Sequence, residues 1–436
     1  MLKSWRAMTL WKRVFIGLAL GVVIGLGLHY GLGELGKKIA EDWFKPFGQA
    51  FVNLIKMLVV PLIATTLVSG VIAMGDPKRL GSLGIRTIGM YMLTTFFAVW
   101  LGLAVGTIFQ PGAGMGEVVG GATGSVGAVT DKLATAGAAQ KGLADYLLAI
   151  IPSNPIKALA NGDVLSIILF SILVGVGILL AGDKGRPLAE FFDSASEVVM
   201  KVTMMIMNLA PYGVLALMAW VMGVNGLGIL SAMGKLAIAL YLACFLQIIF
   251  VYGGLIVRTI LRLPLTRFFY GIADALGVAY STASSNATLP VTISCARHNL
   301  GVEKSVAGSV LPMGATINMD GTAIYLGIVA LFAAQALGLE LTFIDYCMVA
   351  LMATLTSIGA AGIPSAGLLL AAGVLTQIGV TPEQATLIIA FIFPFDRLLD
   401  MMRTATNVTG DIAIACTVAK WEGALDEEVF KTKSVV

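Results

Sequence analysis

Charge is scarce in this sequence. Lys, Arg, Asp and Glu make up 12% of 436 residues, about half the roughly 25% usual in soluble globular chains. With 58% hydrophobic residues, that argues against a string of soluble domains and for a membrane protein. Histidine is scarcer still, since His29 and His298 are the only two and lie far apart. The four cysteines, Cys244, Cys295, Cys347 and Cys416, are single and sit in apolar surroundings. Zinc chemistry, a disulfide framework and a thiol redox motif are therefore not expected. Proline is limited to 14 residues against 51 glycines. That balance suits close-packed or interrupted membrane helices better than a disordered chain, which would be charged and poor in aliphatics.

What the chain does have is apolar runs near the length that crosses a bilayer, about 20 residues. Clear ones cover roughly 14–31, 48–74, 87–109, 164–181, 202–223 and 236–257. No small-residue cleavage site follows the first, so a retained first helix is expected. Lys3, Arg6, Lys12 and Arg13 place the N-terminus in the cytoplasm, and successive crossings return Lys78, Arg79 and Arg86, then Lys184, Arg186 and Lys201, then Arg258, Arg262 and Arg267 to that side. Only Lys37, Lys38, Lys45, Lys132 and Lys141 fall outside. The alternation continues to Lys420, Lys431 and Lys433, again inside, only if the stretch 264–298 enters and leaves on the cytoplasmic side. Residues 111–143 read as a Gly/Ala-rich external loop and 144–163 as a broken approach to the fourth span. The spacing of Gly17, Gly21 and Gly25 reads as close helix packing.

The second half carries two interruptions. YSTASSNATLP (280–290) and GAAGIPSAG (359–367) each split an apolar stretch into arms too short to span separately. Each reads as a re-entrant hairpin followed by a polar helix, one entering from inside and the other from outside, which makes an inverted repeat. Non-helical backbone at membrane depth survives only against protein or an aqueous cavity, and paired interruptions point to a transporter site near the midplane. The alternative, ordinary loops between full helices, would need spans shorter than the bilayer.

The last span is apolar at both ends yet holds Asp396, Arg397, Asp400, Arg403 and Asp411. At about 100° per residue, Asp396, Asp400, Arg403, Asn407 and Asp411 share one helix face, with Thr404 and Arg397 on its shoulder. Each such charge at the centre of a span costs about 2.5–3.5 kcal/mol, so the face must meet protein, water or ligand. A solvated surface helix would not be flanked by LIIAFIF (387–393) and IAIAC (412–416). Adding Asp320, four carboxylates stand against the guanidinium groups of Arg397 and Arg403. Bound cations are the natural remedy, and an all-oxygen ligand set suits a hard ion such as sodium. Arg403 offers a planar fork for a substrate carboxylate and Asp400, one turn away, an acceptor for an ammonium group.

SSNATLP (284–290), GATINMDGTA (314–323), SIGAAGIPSAG (357–367) and DRLLDMMRTATNVTGD (396–411) closely resemble the four signatures of the glutamate/aspartate transporter family, the dicarboxylate/amino acid:cation symporters. KMLVVPLI (56–63) and YMLTT (91–95) match too, so the resemblance covers nearly the whole chain. It identifies a prokaryotic relative of the excitatory amino acid transporters. The fold it implies is an all-α polytopic membrane protein of eight spans and two re-entrant helical hairpins with inverted repeats. A transport domain would move as an elevator against a trimeric scaffold. The layout is then scaffold helices 1 and 2 over 1–86, the first partly peripheral; helix 3 and the external loop over 87–143; scaffold helices 4 and 5 over 144–223; and helix 6 over 224–263. Hairpin 1 follows over 264–300, helix 7 over 301–338, hairpin 2 over 339–380, helix 8 over 381–421 and a cytoplasmic tail over 422–436.

The resemblance also implies roles. Arg403 would bind the side-chain carboxylate and Asp400 the amino group of an acidic amino acid. Asn407, Thr404, Thr322 and the Ser284/Ser285 tip would hold its main-chain groups, and Ile363 and Gly367 would line the outer gate. One sodium site would use Gly314, Asn318, Asn407 and Asp411; another Tyr91, Thr94, Thr95, Asn318 and Asp320; a third backbone oxygens around Thr316, Met319, Ser357, Ile358 and Ala360. Archaeal members usually carry an arginine just before the first tip's serines, where this chain has Ala283; its Arg397 lies in the last helix, as in animal members. Ala360 stands where some members have Thr.

The expectation is thus a non-enzymatic, sodium-driven symporter of L-aspartate or L-glutamate, with no cofactor beyond Na+ as coupling ion. It would be a homotrimer in a plasma (inner) membrane with both termini cytoplasmic and no nucleic-acid partner. The alternative within the fold is a proton-coupled acidic amino acid or C4-dicarboxylate carrier. An intramembrane serine protease using Ser285 or Ser365 lacks a nearby base, and an ion channel has no need of the Asp400 and Arg403 pair.

Overall fold

The computed structural model describes residues 8, 10–73, 77–116, 151–161, 164–358, 360, 362 and 365–432. Most of the external loop expected over 111–143, part of the approach at 144–163, and Gly359 and Ile363 lie outside that range. Among the described residues the chain is helical and contains no strand, only an isolated bridge between Val302 and Leu425. Four helical stretches, Lys12–Leu54, Gly84–Phe109, Leu230–Ile260 and Lys304–Leu337, are long and apolar enough to cross a bilayer, and Leu169–Ile206 with Ala210–Asn225 forms a further, bent pair.

Helix α1 (Leu10–Ile39) runs beyond the apolar stretch read from the sequence and is kinked at Gly33, whose φ of 53° only glycine adopts freely. A π-helical turn (Ala40–Phe44) leads into α2 (Lys45–Ala73). Next come α3 (Pro77–Phe109), the short α4 (Pro155–Asn161), α5 (Val164–Ala181), α6 (Arg186–Met207) and α7 (Ala210–Asn225). The span expected over 202–223 is divided between α6 and α7, which meet at 49°. Pro211 explains the bend, because it lacks an N–H and its ring would collide with the carbonyl four residues back, at Met207, where α6 ends. Gly17, Gly21 and Gly25 do serve packing. A Cβ on Gly21 would lie 2.7 Å from Leu215 O, one on Gly25 would lie 2.8 Å from Ala219 O, and one on Gly17 would run into Pro211 O. Helix α1 therefore lies against the backbone of α7 along a four-residue register.

Helix α8 (Gly228–Leu246) passes without a break into a π-helical run, Gln247–Ile260. After α9 (Leu265–Gly271), the sequence interruption at 280–290 becomes a break between α10 (Ala273–Thr282) and α11 (Ser285–Ser294). Ala283 turns the chain with φ 51°, and Ser284 caps α11 by accepting a hydrogen bond from Ala287 N at 3.2 Å. The interruption at 359–367 falls between α14 (Phe343–Ile358) and α15 (Ala366–Gln377), with Ser365 at φ 64° before α15. Both turns thus hold a non-glycine residue in the left-handed region, costing roughly 1–2 kcal/mol each. The turns meet at Gly362 O, which accepts from Ser284 Oγ at 2.6 Å and from Asn286 N at 3.2 Å.

Between the hairpins, α12 (Lys304–Ile317) and α13 (Asp320–Leu337) are separated by Asn318 and Met319, whose ψ angles of 82° and 50° leave the helix. The last long helix, α16 (Pro382–Trp421, 40 residues), begins with a capping box between Thr381 and Gln384. It packs against α8, α10, α12, α13 and α15 and is buried from Gln384 to Ala419 apart from a few positions near Arg397. Its charges are thereby enclosed by protein. A short α17 (Glu427–Lys431) closes the described chain.

Candidate functional site

The charged face of α16 meets the break in helix 7 and both hairpin turns. Arg403 is fully buried, with Nη2 donating to Asp400 Oδ1 at 2.7 Å and to Asp396 Oδ1 at 3.1 Å. Its guanidinium carbon lies 4.1 Å from the centroid of the Tyr325 ring, a cation–π contact. The donors Nε and Nη1 are buried without a hydrogen-bond partner among the described residues. An unmet buried donor is costly, and a buried guanidinium with donors still unmet is suited to receive a carboxylate. Gly367 makes room for this group, since a Cβ there would lie 2.9 Å from Arg403 Nη1 and 2.9 Å from Thr322 Cγ2. Asp400 Oδ2 accepts from Ser365 N at 2.7 Å, so the turn of the second hairpin is seated on the same carboxylate that faces Arg403. Thr322, Thr404, Ser284 and Ser285 are also buried. Close approach also explains Gly321, whose added Cβ would run into the Arg403 backbone.

Arg397 does something different from its neighbours. Its Nη2 donates to Thr282 O at 3.0 Å and Ser281 O at 3.2 Å, the last carbonyls of α10. A guanidinium from α16 thus sits beside the turn at Ala283.

One turn further along α16, Asn407 Oδ1 accepts from Gly321 N at 2.7 Å and Nδ2 donates to Met319 Sδ at 3.1 Å. Asp411 Oδ1 accepts from Asn318 Nδ2 at 2.9 Å. A Cβ on Gly314 would collide with Asp411 Oδ1 and lie 2.7 Å from the Tyr91 hydroxyl, so this helix position has to be glycine for the three groups to converge. Asn318 Oδ1 is buried and accepts no hydrogen bond among the described residues.

Asp320, fully buried at the start of α13, forms a third centre. Thr95 Oγ1 donates to its Oδ1 at 2.6 Å, and Gln247 Nε2, at 3.2 Å, and the Tyr252 hydroxyl donate to its Oδ2. Thr94 Oγ1 donates to Tyr91 O at 3.2 Å, and Tyr91 itself to Val310 O at 2.9 Å, which fixes this part of α3 against α12. Neither Asp320 nor Asp411 has a basic partner within ion-pair distance among the described residues. Two buried carboxylates without counter-charge are expensive in a protein interior.

The fourth group is less converged. Thr316 Oγ1 donates to Met313 O at 2.9 Å, Ser357 Oγ to Thr354 O at 2.8 Å, and Ala360 N to Ser357 O at 3.0 Å. Thr316, Ile358 and Ala360 share the wall of an apolar cavity of about 260 Å³ with Thr66, Gly70 and Met92. Met319 O is engaged by Ala323 N at 2.8 Å. Ile363 is outside the described residues.

Among the described residues no three His, Cys, Asp or Glu side chains converge. Donors are instead spread over amide, hydroxyl, carboxylate and carbonyl oxygen, which suits a hard ion and not a soft one. The orphaned acceptor at Asn318 Oδ1 fits that chemistry. Gln247, Tyr252 and Tyr325 were absent from the residues read off the sequence. Their one signal there is polarity inside an apolar span, which is a functional-site indication by itself.

The sequence pattern that defines the sodium:dicarboxylate symporter family matches residues 10–421. A proton/sodium-glutamate symport protein of Bacillus subtilis (strain 168) is 35% identical over 412 residues, covering 94% of this chain and 92% of the relative. Its counterpart in Bacillus caldotenax is 35% identical over 416 residues, covering 95% of each. A C4-dicarboxylate transport protein of Erwinia tasmaniensis is also 35% identical, over 427 residues, covering 98% of this chain and 96% of the relative. Matched from its first described helix to its last long one, this chain belongs to the sodium:dicarboxylate symporter family, a family of transporters and not of enzymes.

Proposed function

We propose that the chain is a sodium-coupled secondary symporter of acidic amino acids, L-aspartate or L-glutamate, working by elevator alternating access as a homotrimer in the plasma membrane, with both termini cytoplasmic. The observation that carries this reading is Arg403: fully buried, paired on one nitrogen and unmet on two. Its free N–H groups receive the side-chain carboxylate of the substrate. Asp400 then exchanges its contacts with Arg403 and Ser365 N for the substrate ammonium group. Asn407, Thr404, Thr322 and the Ser284/Ser285 turn hold the main-chain groups, while Ile363 and Gly367 belong to the gate above them.

Cations answer the unpaired carboxylates. Asp411 with Gly314, Asn318 and Asn407 forms one sodium site, and Asp320 with Tyr91, Thr94, Thr95 and Asn318 another. Oxygens around Thr316, Met319, Ser357, Ile358 and Ala360 supply a third. The formal charge of Asp320, Asp396, Asp400 and Asp411 with Arg397 and Arg403 is two negative, and an acidic amino acid adds one. Neutral passage then requires roughly three monovalent cations. In proteoliposomes, a charge-to-substrate flux ratio showing no net inward charge would contradict this count.

The second reading, a proton-coupled or C4-dicarboxylate carrier, draws on the equal identity to a C4-dicarboxylate transport protein. Asp400 speaks against it, because a dicarboxylate has no ammonium group to offset a buried carboxylate. The test is uptake of radiolabelled L-aspartate into liposomes under an imposed sodium gradient or an imposed proton gradient, with L-glutamate and succinate as competitors. Sodium-driven uptake blocked by L-glutamate and not by succinate is expected; proton-driven uptake, or block by succinate, overturns the reading.

A further inference from the structure

Asp320 presents two oxygens, and they are treated unequally. Oδ1 has one donor, Thr95, from α3. Oδ2 has two, Gln247 and Tyr252, both from the π-helical run that continues α8. In an ordinary α-helix, residues five apart diverge by about 140° at roughly 100° per turn step, so one carboxylate oxygen could not receive both. The i→i+5 bonding of a π-helix brings such residues toward one face. The widened helix is therefore what allows Gln247 and Tyr252 to converge on Oδ2. Gln247 Nε2 also lies 3.4 Å from Thr94 O, which ties the same amide to the α3 segment on the other side of Asp320. The Tyr252 hydroxyl is equally constrained on its far side. A Cβ on Gly410 would lie 2.5 Å from it and 2.7 Å from Asn318 Nδ2, so the phenol stands between Asp320 and the Asn318/Asp411 centre.

We infer that Gln247 and Tyr252 are positioning residues that set the sodium response of the symporter. They engage Oδ2 of Asp320 and leave Oδ1, with Thr95, Thr94 and Tyr91, as the edge that faces a cation. Without them the carboxylate is held only from the α3 side, by Thr95, and the cation loses a ligand oriented from both sides. Both side chains are buried, and among the described residues neither is hydrogen-bonded to Arg403 or Asp400. Their loss is therefore read in cation dependence and not in substrate recognition. This inference rests on the sodium reading above.

The experiment is sodium-dependent L-aspartate uptake by the reconstituted full chain, comparing wild type with Tyr252→Phe, Gln247→Leu and the double variant. Each single substitution removes one donor to a charged oxygen, for which a roughly tenfold rise in half-saturating sodium is expected. The double variant should be weaker than either. At saturating sodium, half-saturating aspartate should stay within about twofold of wild type, the size of change expected when no substrate contact is lost. A split of that kind is not produced by general destabilisation, which lowers the amount of active protein and leaves both half-saturations alone. If Tyr252→Phe does not accumulate as folded protein, Gln247→Leu carries the same test. Wild-type uptake driven by sodium together with an unchanged sodium response in the variants overturns this inference alone. Wild-type uptake indifferent to sodium overturns the coupling reading, and the inference with it.

Discussion

The two hairpins share a shape and differ in how they are held. The first is tied along its length: Tyr241 bridges the Tyr280 hydroxyl, at 3.1 Å, to Leu398 O, at 2.9 Å. Arg397 holds the last carbonyls of α10, and Asn299 Nδ2 reaches Gly271 O at 2.8 Å across the base. The tail then straps that base. Glu303 N donates to Ala424 O at 3.0 Å, Asp426 N to Gly301 O at 2.9 Å, and Phe430 is fully buried where α17 packs against α9 and the turn at Cys295–Asn299. The second hairpin, among the described residues, has its polar ties at the tip, from Ser365 N to Asp400 and from Gly362 O to the first tip. Apart from these, Tyr346 reaches Thr107 at 3.0 Å. The first hairpin is held at its arm and base, partly by Arg397 of the charged helix, whereas the second is held mainly at its tip, through Asp400.

The largest expected effect lies at Arg403, beside the seat of the second hairpin's tip. Arg403→Cys should reduce acidic amino acid uptake by more than about a hundredfold, the scale of losing a buried bidentate charge contact, while neutral amino acids become substrates. Unchanged aspartate uptake would contradict the role given to Arg403. Next comes the strap. Phe430→Ala empties a buried aromatic site and should destabilise the tail's docking by about 3–5 kcal/mol, exposing the base of the first hairpin. Cys295, 3% exposed, is a native reporter there, so thiol labelling in a Cys347→Ser background should accelerate; an unaltered labelling rate breaks the comparison. Ser284→Ala removes both a helix cap and the bond to Gly362 O, each worth about 1 kcal/mol. Half-saturating aspartate should rise by roughly tenfold or less, through the tip and not through the arm or base of the first hairpin.

The smallest effect belongs to Glu427. Its carboxylate is held below its ordinary range, first by the hydrogen bond from Lys420 and then by Lys431. A depressed folded value stabilises the strap above the ordinary carboxylate pKa, about 4.3, and the contribution is lost as pH falls through the folded value. Because the pair is more than a third exposed and screened, Glu427→Gln should cost under about 1 kcal/mol at neutral pH. It should also remove any acid-induced rise in Cys295 labelling that the wild type shows.

Much of this was legible in advance. The interruptions at 280–290 and 359–367, the polar face of the last span and the packing role of Gly17, Gly21 and Gly25 all follow from period, spacing and the cost of charge in a bilayer. Other features left no trace at that level. Asn318 and Met319 leave the helix without a proline or glycine at the break itself; Asn407 takes up the Gly321 N–H beyond it, and Asp411 holds the Asn318 side-chain amide. That Asp400 pairs with Arg403 and also seats Ser365 depends on contacts between segments far apart in the chain.

Sequence by itself determined that this chain crosses a membrane and concentrates its few charges on one face of its final span, since burial of charge in lipid admits few alternatives. Tertiary structure alone decided which oxygen of each carboxylate is already engaged and where each hairpin is tied. Gln247 and Tyr252 show why: read at the α-helical period they point to different faces, and only the widened helix around them brings both to Asp320.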